Sequence, residues 1–216
     1  MKKFELTGEF KILYGRKLFR IRALVNFRDV ESGDLGGYVE KEDNLSHDGN
    51  AWVYGNAQVY GNAKVYGNAL VCGEAQVFGN AQVFGNARLY GNAKVCGEAQ
   101  VRGDADYACV KGFGSEYRSA TFFRTKDGDI GVRCGCFYGS LGSFREKVKG
   151  THGNTKYAQE YLIISELMEL HFVGGKQHET THLKRTVGRY TTPPGTSDTV
   201  DHRNGLSRRS AGRTSE

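Results

Sequence analysis

The hydrophobic pattern of the chain is dominated by a strict six-residue period between about Leu45 and Tyr107. Glycine returns at every sixth position from Gly49 to Gly103, alanine follows two positions later, and a valine or leucine follows two positions after that. A repeat this short and regular predicts an array of stacked units rather than independent helices or strands. Each unit supplies two inward residues, and the Gly-Asn, Gly-Glu or Gly-Asp between them suits a sharp corner. Three units make one triangular coil, so residues eighteen positions apart should stack.

The residue after each inward valine or leucine is predicted to point outward, and most of these residues are aromatic. The stacking rule arranges them in three columns: Tyr54/Cys72/Tyr90, Tyr60/Phe78/Cys96 and Tyr66/Phe84/Arg102. Columns this apolar are unusual for plain surface. They either pack against a second subunit or the flanking domains, or form a ledge on which a ring stacks. The cations that would serve such a ledge are Lys64, Arg88, Lys94 and Arg102.

The first 44 residues are predicted to form a β cap, because the end of a repeat column leaves unpaired backbone and an exposed core. Alternation of apolar and polar residues predicts short strands around a turn at Thr7-Gly8-Glu9. A half-buried strand is predicted over residues 17–25, with Arg20 and Arg22 on its solvent side.

Three segments of this region have a familiar form: Arg22–Phe27, Gly33–Glu40 and Asn44–Val53. They resemble the lead-in of bacterial and prophage-encoded hexapeptide-repeat proteins, which are often classified as acyltransferases. With the repeat included, the resemblance spans roughly residues 15–107. It implies a mainly β fold, a left-handed parallel β-helix over residues 45–107, and association as a homotrimer. It does not imply an activity, because many members are named by fold alone.

Enzymes of the hexapeptide acyltransferase type generally carry a catalytic histidine and a loop that shapes the acyl-CoA cleft. Between Trp52 and Tyr107 there is no histidine, and the six-residue count never slips. His47 falls in the register of the inward aliphatic residues, six positions before Val53. A capping or core histidine is therefore favoured over a general base, and His47 remains a weak catalytic candidate.

Residues 108–172 are predicted to form a small α+β domain. Strands are expected at Ser119–Thr125 and Ile130–Phe137, with a hairpin turn at residues 126–129. Ser140 is expected to cap a helix that runs through Lys149. The domain resembles one often appended to phage and prophage repeat proteins, through Arg133–Phe137, Thr151-His152-Gly153 and the Tyr157…Glu160-Tyr161 pattern. The resemblance brings no established chemistry.

A second, stronger helix is predicted over Tyr157–Phe172. The residues expected near one face of it are Tyr161, Ile164, Leu167, Met168 and His171.

Two cysteines and two histidines of this domain raise the question of a metal site. Cys134 and Cys136 form a lone C-x-C on one predicted strand face, which lacks the paired spacing of structural zinc, so buried thiols are favoured and no metal is expected. A nucleophile pair of Cys136 and His152 remains a weak catalytic candidate. Arg118, Arg124 and Arg133 lie on or beside the strands and form either an anion site or solvated strand positions.

Composition changes again from residue 173 to residue 216, where both prolines and many threonines, serines and arginines occur. This tail is predicted to be disordered, and it carries much of the net charge of +6. His178–His182 matches the H-E-x-x-H pattern of zinc proteases. The β-branched threonines within it, the preceding glycines, and Arg185 in place of the glycine of the extended motif argue against that activity.

No signal peptide or membrane-spanning run is visible, and five cysteines without paired spacing fit reduced thiols in a cytoplasm. The leading hypothesis is an oligomeric phage or prophage protein of the host cytoplasm that sequesters a nucleotide-like anion without catalysis. The alternatives are an acyltransferase using acetyl-CoA and a trimeric structural spacer. No cofactor, membrane or polymeric nucleic acid is expected as a partner. The candidate ligand-binding residues are Tyr54, Tyr60, Tyr66, Phe78, Phe84, Arg88, Tyr90, Lys94, Arg102, Arg118, Arg124 and Arg133.

Overall fold

The computed structural model describes residues 1–173 and shows a mainly β protein. An antiparallel N-terminal sheet leads into a β-solenoid of about 4 turns, which is followed by a second sheet and two helices. The N-terminal strands are β1 (Phe4–Leu13), β2 (Arg16–Ala23) and β3 (Leu35–Val39). The solenoid strands are β4 (Trp52–Val53), β5 (Gln58–Val59), β6 (Lys64–Val65), β7 (Leu70–Val71), β8 (Gln76–Val77), β9 (Gln82–Val83), β10 (Arg88–Leu89), β11 (Lys94–Val95) and β12 (Gln100–Val101). The C-terminal elements are β13 (Tyr107–Val110), β14 (Ala120–Arg124), β15 (Ile130–Cys134), β16 (Phe137–Ser140), α1 (Leu141–His152) and α2 (Lys156–Val173).

The predicted stacking of residues eighteen apart is confirmed. Parallel pairing joins β5 to β8 to β11, β6 to β9 to β12, and β4 to β7 to β10, always at that offset. The alanines from Ala51 to Ala99 and the valines and leucines from Val53 to Val101 are buried, so the interior is a narrow column of these two residue classes. Ala105 is an exception, because it lies exposed in the 3₁₀ turn Asp104–Asp106 that ends the repeat.

The parallel ladder begins before the repeat itself. Tyr38 and Val39 of β3 pair with Gln58 and Val59 of β5, and Leu45 forms a bridge with Val65. The segment predicted as a cap therefore also supplies part of the first turn.

The N-terminal hairpin differs from the prediction. A single long strand, β1, runs through Thr7-Gly8-Glu9, where the pairing with β2 is interrupted by a bulge between Leu6 and Phe10. The turn lies instead at Tyr14-Gly15, where both residues have positive φ angles of 47° and 78°. Two consecutive positive angles are typical of the tight hairpin turns that match the twist of antiparallel strands.

No turn precedes the first turn of the solenoid, so some of its backbone carbonyls have no backbone N–H to accept from. Two buried side chains donate to these carbonyls instead. Lys3 Nζ donates to the carbonyls of Gly49 and Ala51 at 3.2 and 2.9 Å. On the next face, Asn44 Nδ2 donates to the carbonyls of Gly61 and Ala63 at 3.1 and 2.9 Å. One turn further on, the equivalent carbonyls accept backbone N–H groups, so the two side chains replace a missing strand.

The last turn has the opposite need, because its N–H groups lack acceptors. Asp104 Oδ1 accepts the N–H of Arg88 at 2.8 Å, and Thr121 Oγ1 accepts the N–H of Lys94 at 2.9 Å. Asp106 Oδ2 accepts the N–H groups of Arg102 and Gly103 at 3.0 and 3.1 Å. The column is thus closed by donor side chains at its start and by acceptor side chains at its end.

Burial lowers the pKa of Lys3 from 10.5 to about 8, and the nearby Asp48 carboxylate opposes this only in part. Between pH 8 and 10.5 the unfolded chain then binds more protons than the folded one, so this residue makes stability rise with pH over that window. We expect the difference in unfolding free energy between wild type and Lys3→Met to grow by about 3 kcal/mol from pH 8 to 10.5. Urea titrations across this range check it. A constant difference would show that Lys3 titrates normally.

The C-terminal sheet is antiparallel in the order β13-β14-β15-β16. The predicted turn after β14 is confirmed, with Gly128 donating its N–H to the carbonyl of Thr125. The predicted single strand over residues 130–137 is wrong. Gly135, with φ of 56°, and Cys136 form a two-residue turn there, and β15 and β16 make a hairpin. The predicted cap of α1 is confirmed, since Ser140 Oγ accepts the N–H of Ser143 at 3.2 Å.

The second helix buries a face different from the predicted one. Tyr161, Ile164 and Met168 lie in the core as expected, but Leu167 and His171 are exposed. Their predicted places in the core are taken by other side chains of the helix, among them Phe172. The helix is apolar on nearly all sides, so the periodicity of its sequence left the inward face ambiguous.

Residues 174–216 lie outside the described part of the chain, and with them the predicted disordered tail and the His178–His182 motif. Val173, placed in that tail by the sequence, ends α2. Among the described helices, none has the length and apolar character needed to cross a membrane.

Candidate functional site

The three outward columns form as predicted, and neighbouring rings stack in two of them. Tyr60 lies over Phe78 with ring centroids 5.0 Å apart and planes 1° from parallel. Tyr66 lies over Phe84 at the same distance with an angle of 5°. The three columns differ, however, in what covers them, and this difference decides which of them a ligand could reach.

The column Tyr60/Phe78/Cys96 is covered by the flanking sheets. Tyr60 is only 7% exposed, because it packs with Leu18 and Tyr38 of the N-terminal sheet. Burial raises the pKa of Tyr60 to about 12 and that of the Cys96 thiol to about 11. This column serves packing.

The C-terminal sheet covers the upper part of the same column. The Arg133 guanidinium lies 5.8 Å from the centre of the Phe78 ring, and the Tyr138 hydroxyl lies against Gly97. The backbone of Lys94 belongs to this covered region as well, because its N–H donates to Thr121 Oγ1 of β14. Both Arg133 and Lys94 are half-buried.

The column Tyr66/Phe84/Arg102 is more open. Both rings are half-buried, the Arg102 guanidinium lies 5.8 Å from the centre of the Phe84 ring, and the Tyr66 hydroxyl donates to Gln82 Oε1 at 2.9 Å. The stack of Tyr66 and Phe84 ends in the cation Arg102, as the sequence suggested. The outer side of this column is exposed to solvent.

The column Tyr54/Cys72/Tyr90 is tied down at its lower end and open at its upper end. The Tyr54 hydroxyl donates to Asp29 Oδ1 at 3.0 Å, and burial with this hydrogen bond raises the pKa of Tyr54. Tyr90 is 49% exposed. It lines a groove of about 550 Å³ between the last turn of the solenoid and strand β13.

This groove brings together two of the predicted ligand residues, Arg88 and Tyr90, with three that the sequence did not suggest. Strand β13 and the residue after it supply Tyr107, Cys109 and Lys111. The volume lies within the range of small-molecule sites in proteins. We call this the Arg88 groove.

Hydrogen bonds fix the walls of the Arg88 groove. The Tyr107 hydroxyl donates to the backbone carbonyl of Arg88 at 2.7 Å, and Asp104 accepts the N–H of the same residue. Burial raises the pKa of Tyr107, so its hydroxyl stays protonated at neutral pH and keeps this bond. The Arg88 side chain itself is exposed.

Cys109 is the one thiol that lines the Arg88 groove. Burial raises its pKa, and the hydrogen bond from Thr121 offsets this only in part. A thiol in such a setting is mostly protonated at neutral pH and is a poor nucleophile.

The three arginines of the C-terminal domain do not meet. Side chains alternate across a strand, and the register places Arg133 opposite Thr121 on the face toward the solenoid. Arg124 lies on the other face, where it pairs with Asp106 at 3.2 Å and donates to the carbonyl of Phe172. Arg118 pairs with Glu116 at 3.3 Å near the surface. Of the two alternatives, a single anion site shared by these arginines is not formed, because their side chains lie apart.

The weak catalytic candidates have structural partners. His47 stacks on Phe4 with ring centroids 4.3 Å apart, and its Nδ1 accepts the N–H of Lys3, which makes it part of the closure of the first turn. Its Nε2 lies 3.6 Å from a Glu42 oxygen. This agrees with the predicted capping histidine.

The second pair of candidates lies on separate elements. Cys136 is exposed in the β15–β16 turn rather than on a strand, and His152 ends α1 beside the rings of Tyr157 and Tyr161. Cys134 is the thiol that contacts Tyr161, at 3.7 Å from the hydroxyl. Within residues 1–173 no three histidine, cysteine or carboxylate side chains gather in a group that could hold a metal ion.

Some residues of the groove could have been found from the sequence. Tyr107 stands in the register of the inward aliphatic residues, six positions after Val101, and an aromatic residue there signals the end of the column. Lys111 carries no such signal, because its position depends on how β13 departs from the solenoid.

Comparison with known proteins supports the architecture. A model of the YdcK β-solenoid repeat matches residues 57–73, which run from the strand β5 through β7. No curated protein matches the chain. The matched segment and the parallel ladders agree: the chain is a β-solenoid repeat protein, and its residues 57–73 are similar to the YdcK repeat.

Proposed function

We propose that this protein is an oligomeric binding protein that sequesters a small, nucleotide-like anion and does not transform it. The proposal rests on one observation, which is that Arg88 and Tyr90 lie in one groove with Lys111. A ring surface and cations in one concave site are what a planar anion requires.

The ring side of the ligand would stack on Tyr90. This side chain is half exposed at the open end of its column, where the next rung of the solenoid is missing. A ligand ring placed there continues the column in the way that Phe78 continues Tyr60 elsewhere in the molecule. Stacking of a base on an aromatic side chain contributes about 1–3 kcal/mol.

The anionic side would meet the guanidinium of Arg88 and the ammonium of Lys111. Within residues 1–173 neither cation has a carboxylate partner within 4.0 Å, and Asp104 is engaged by a backbone N–H. Their charge is therefore available to a phosphate or carboxylate, for which arginine offers a two-pronged donor. The protonated thiol of Cys109 suits a site that holds its ligand rather than attacking it.

The proposal includes the finer expectations from the sequence: a left-handed coil, a homotrimer, and a phage or prophage protein acting in the host cytoplasm. The half-buried column Tyr66/Phe84/Arg102 supports association, because stacked rings that face outward lose water contact when a second subunit covers them.

Replacement of Tyr90 by alanine tests the ring contact. We expect wild type to bind at least one of a panel of linear and cyclic nucleotides in isothermal titration calorimetry. Tyr90→Ala should weaken that binding about tenfold, because one stacking surface is lost. Tyr14→Ala is the matched control, since Tyr14 is 80% exposed at the tip of the N-terminal hairpin. A wild-type protein that binds none of the panel, or equal binding by both variants, would contradict the proposal.

A further inference from the structure

At each corner of the solenoid the polar residues after glycine form a ladder of hydrogen-bonded side chains. Two of the corners mix amides with carboxylates: Asn56 donates to Glu74 at 2.8 Å, and Asn80 donates to Glu98 at 2.6 Å. The third corner has an amide at each of its first three levels, and its next position is Asp104, in the 3₁₀ turn that ends the repeat. We call it the amide ladder.

The amide ladder consists of Asn50, Asn68 and Asn86. Asn50 Nδ2 donates to Asn68 Oδ1 at 3.2 Å, and Asn68 Nδ2 donates to Asn86 Oδ1 at 3.1 Å. Each amide nitrogen carries two hydrogens, and the ladder uses one. All three residues are exposed, so a row of N–H donors remains available along this corner, at the strand spacing of about 4.8 Å.

Two arginines flank the amide ladder. Arg28 and Arg88 line one shallow cavity of about 280 Å³ together with the three asparagines. Arg28 NH1 donates to the backbone carbonyl of Asn68 at 3.1 Å, which holds its guanidinium against the ladder. Its φ angle is 50°, a left-handed conformation that non-glycine residues rarely adopt.

No carboxylate neutralises these arginines in the part of the chain that the structure describes. Neither has a carboxylate oxygen within 4.0 Å. Asp29, which follows Arg28 in the chain, accepts the Tyr54 hydroxyl, and Asp104, which lines the groove with Arg88, accepts the backbone N–H of Arg88. Two unpaired guanidinium groups beside a row of amide donors form a site for an oxyanion with more than one charge.

We propose that the amide ladder with Arg28 and Arg88 is a binding site for phosphate groups. Its shallow cavity of about 280 Å³ has room for a phosphate or diphosphate. Arg88 lines both this cavity and the Arg88 groove, so a ligand with a ring on Tyr90 can place its phosphates on the ladder. The link to a nucleotide rests on the proposed function, whereas the phosphate site itself does not.

The test is calorimetric titration of the full-length protein with inorganic pyrophosphate at constant ionic strength. Wild type should bind it, and Arg28→Gln and Arg88→Gln should each weaken binding about tenfold. Arg22→Gln is the matched control, because it removes the same charge from an exposed arginine that pairs with Glu5. Absence of pyrophosphate binding by wild type, or unchanged affinity in Arg28→Gln, would overturn the phosphate site.

Titration with a nucleotide panel separates this inference from the proposed function. Pyrophosphate binding that depends on Arg28, without binding of any nucleotide, supports the phosphate site and contradicts the proposed function. Nucleotide binding that weakens in Tyr90→Ala but is unchanged in Arg28→Gln supports the function and overturns the placement of the nucleotide's phosphates on the amide ladder. If the proposed function and the phosphate site are both correct, Tyr90→Ala should reduce nucleotide affinity and leave pyrophosphate affinity at the wild-type value.

Discussion

Replacement of Asn44 by alanine should lower the free energy of unfolding by about 3 kcal/mol or more. The side chain is fully buried, and its Nδ2 donates to the carbonyls of Gly61 and Ala63 while its Oδ1 accepts the N–H of Lys41. Alanine removes the partner of all three backbone groups; the Ala63 carbonyl is buried and the other two groups are partly buried. A buried group left without a partner costs about 1–3 kcal/mol, and a partly buried one costs less. Urea unfolding followed by circular dichroism measures the loss.

Two further variants make this result specific. Asn62→Ala removes an exposed asparagine of a corner ladder, whose one side-chain hydrogen bond goes to Asn80, and should cost less than about 1 kcal/mol. Asn44→Asp keeps the acceptor for Lys41 but cannot donate to the two carbonyls, so it should destabilise at least as much as alanine. Equal unfolding midpoints for Asn44→Ala and Asn62→Ala would show that Asn44 does not close the first turn.

Replacement of Gly37 by alanine should lower the free energy of unfolding by a similar amount. A Cβ built there lies 2.6 Å from the carbonyl oxygen of Ala57 and 2.6 Å from a methyl carbon of Val53. The first contact is with backbone, so β3 must move away from β5. We expect Gly37→Ala to cost about 3 kcal/mol, the upper part of the usual range for overpacking, and to lower the melting temperature by roughly 6–12 °C.

Gly103→Ala is the matched control for this substitution. Gly103 has φ of −149°, which any residue adopts, and no atom lies within 4 Å of a Cβ placed on it. Its melting temperature should stay within about 2 °C of wild type. A similar fall in both variants would mean that the loss does not come from the contact between β3 and β5, because the effect of a Gly→Ala change on the unfolded chain is to stabilise the fold.

The solenoid could be predicted because one local rule repeats. Inward and outward positions recur with a period of six, and every turn repeats the environment of the one before, so the fates of Val77 and Ala81 follow from the same pattern as those of Val59 and Ala63. The flanks lack such redundancy. In the N-terminal hairpin, Gly8 suggested a turn. The chain turns instead at Tyr14-Gly15, and Gly8 lies in a β-bulge of strand β1.

The candidate site was predictable only in part, for a similar reason. Arg88 and Tyr90 belong to the repeat, and their outward direction followed from it. Arg28 and Lys111 come from the irregular segments on either side, and their approach to the solenoid depends on tertiary packing. For Arg124 and Arg133 the sequence suggested a proximity that the structure does not have. Both lie on neighbouring strands, but their side chains are on opposite faces of the sheet.

The closure of the two ends has a consequence for assembly. Stacked β-rungs with free backbone groups would let one molecule extend the ladder of the next, and such end-to-end addition grows fibres. Here Lys3 and Asn44 occupy carbonyls at one end, while Asp104, Thr121 and Asp106 occupy N–H groups at the other. A molecule closed in this way has a finite length, and its growth into filaments is blocked by five side chains.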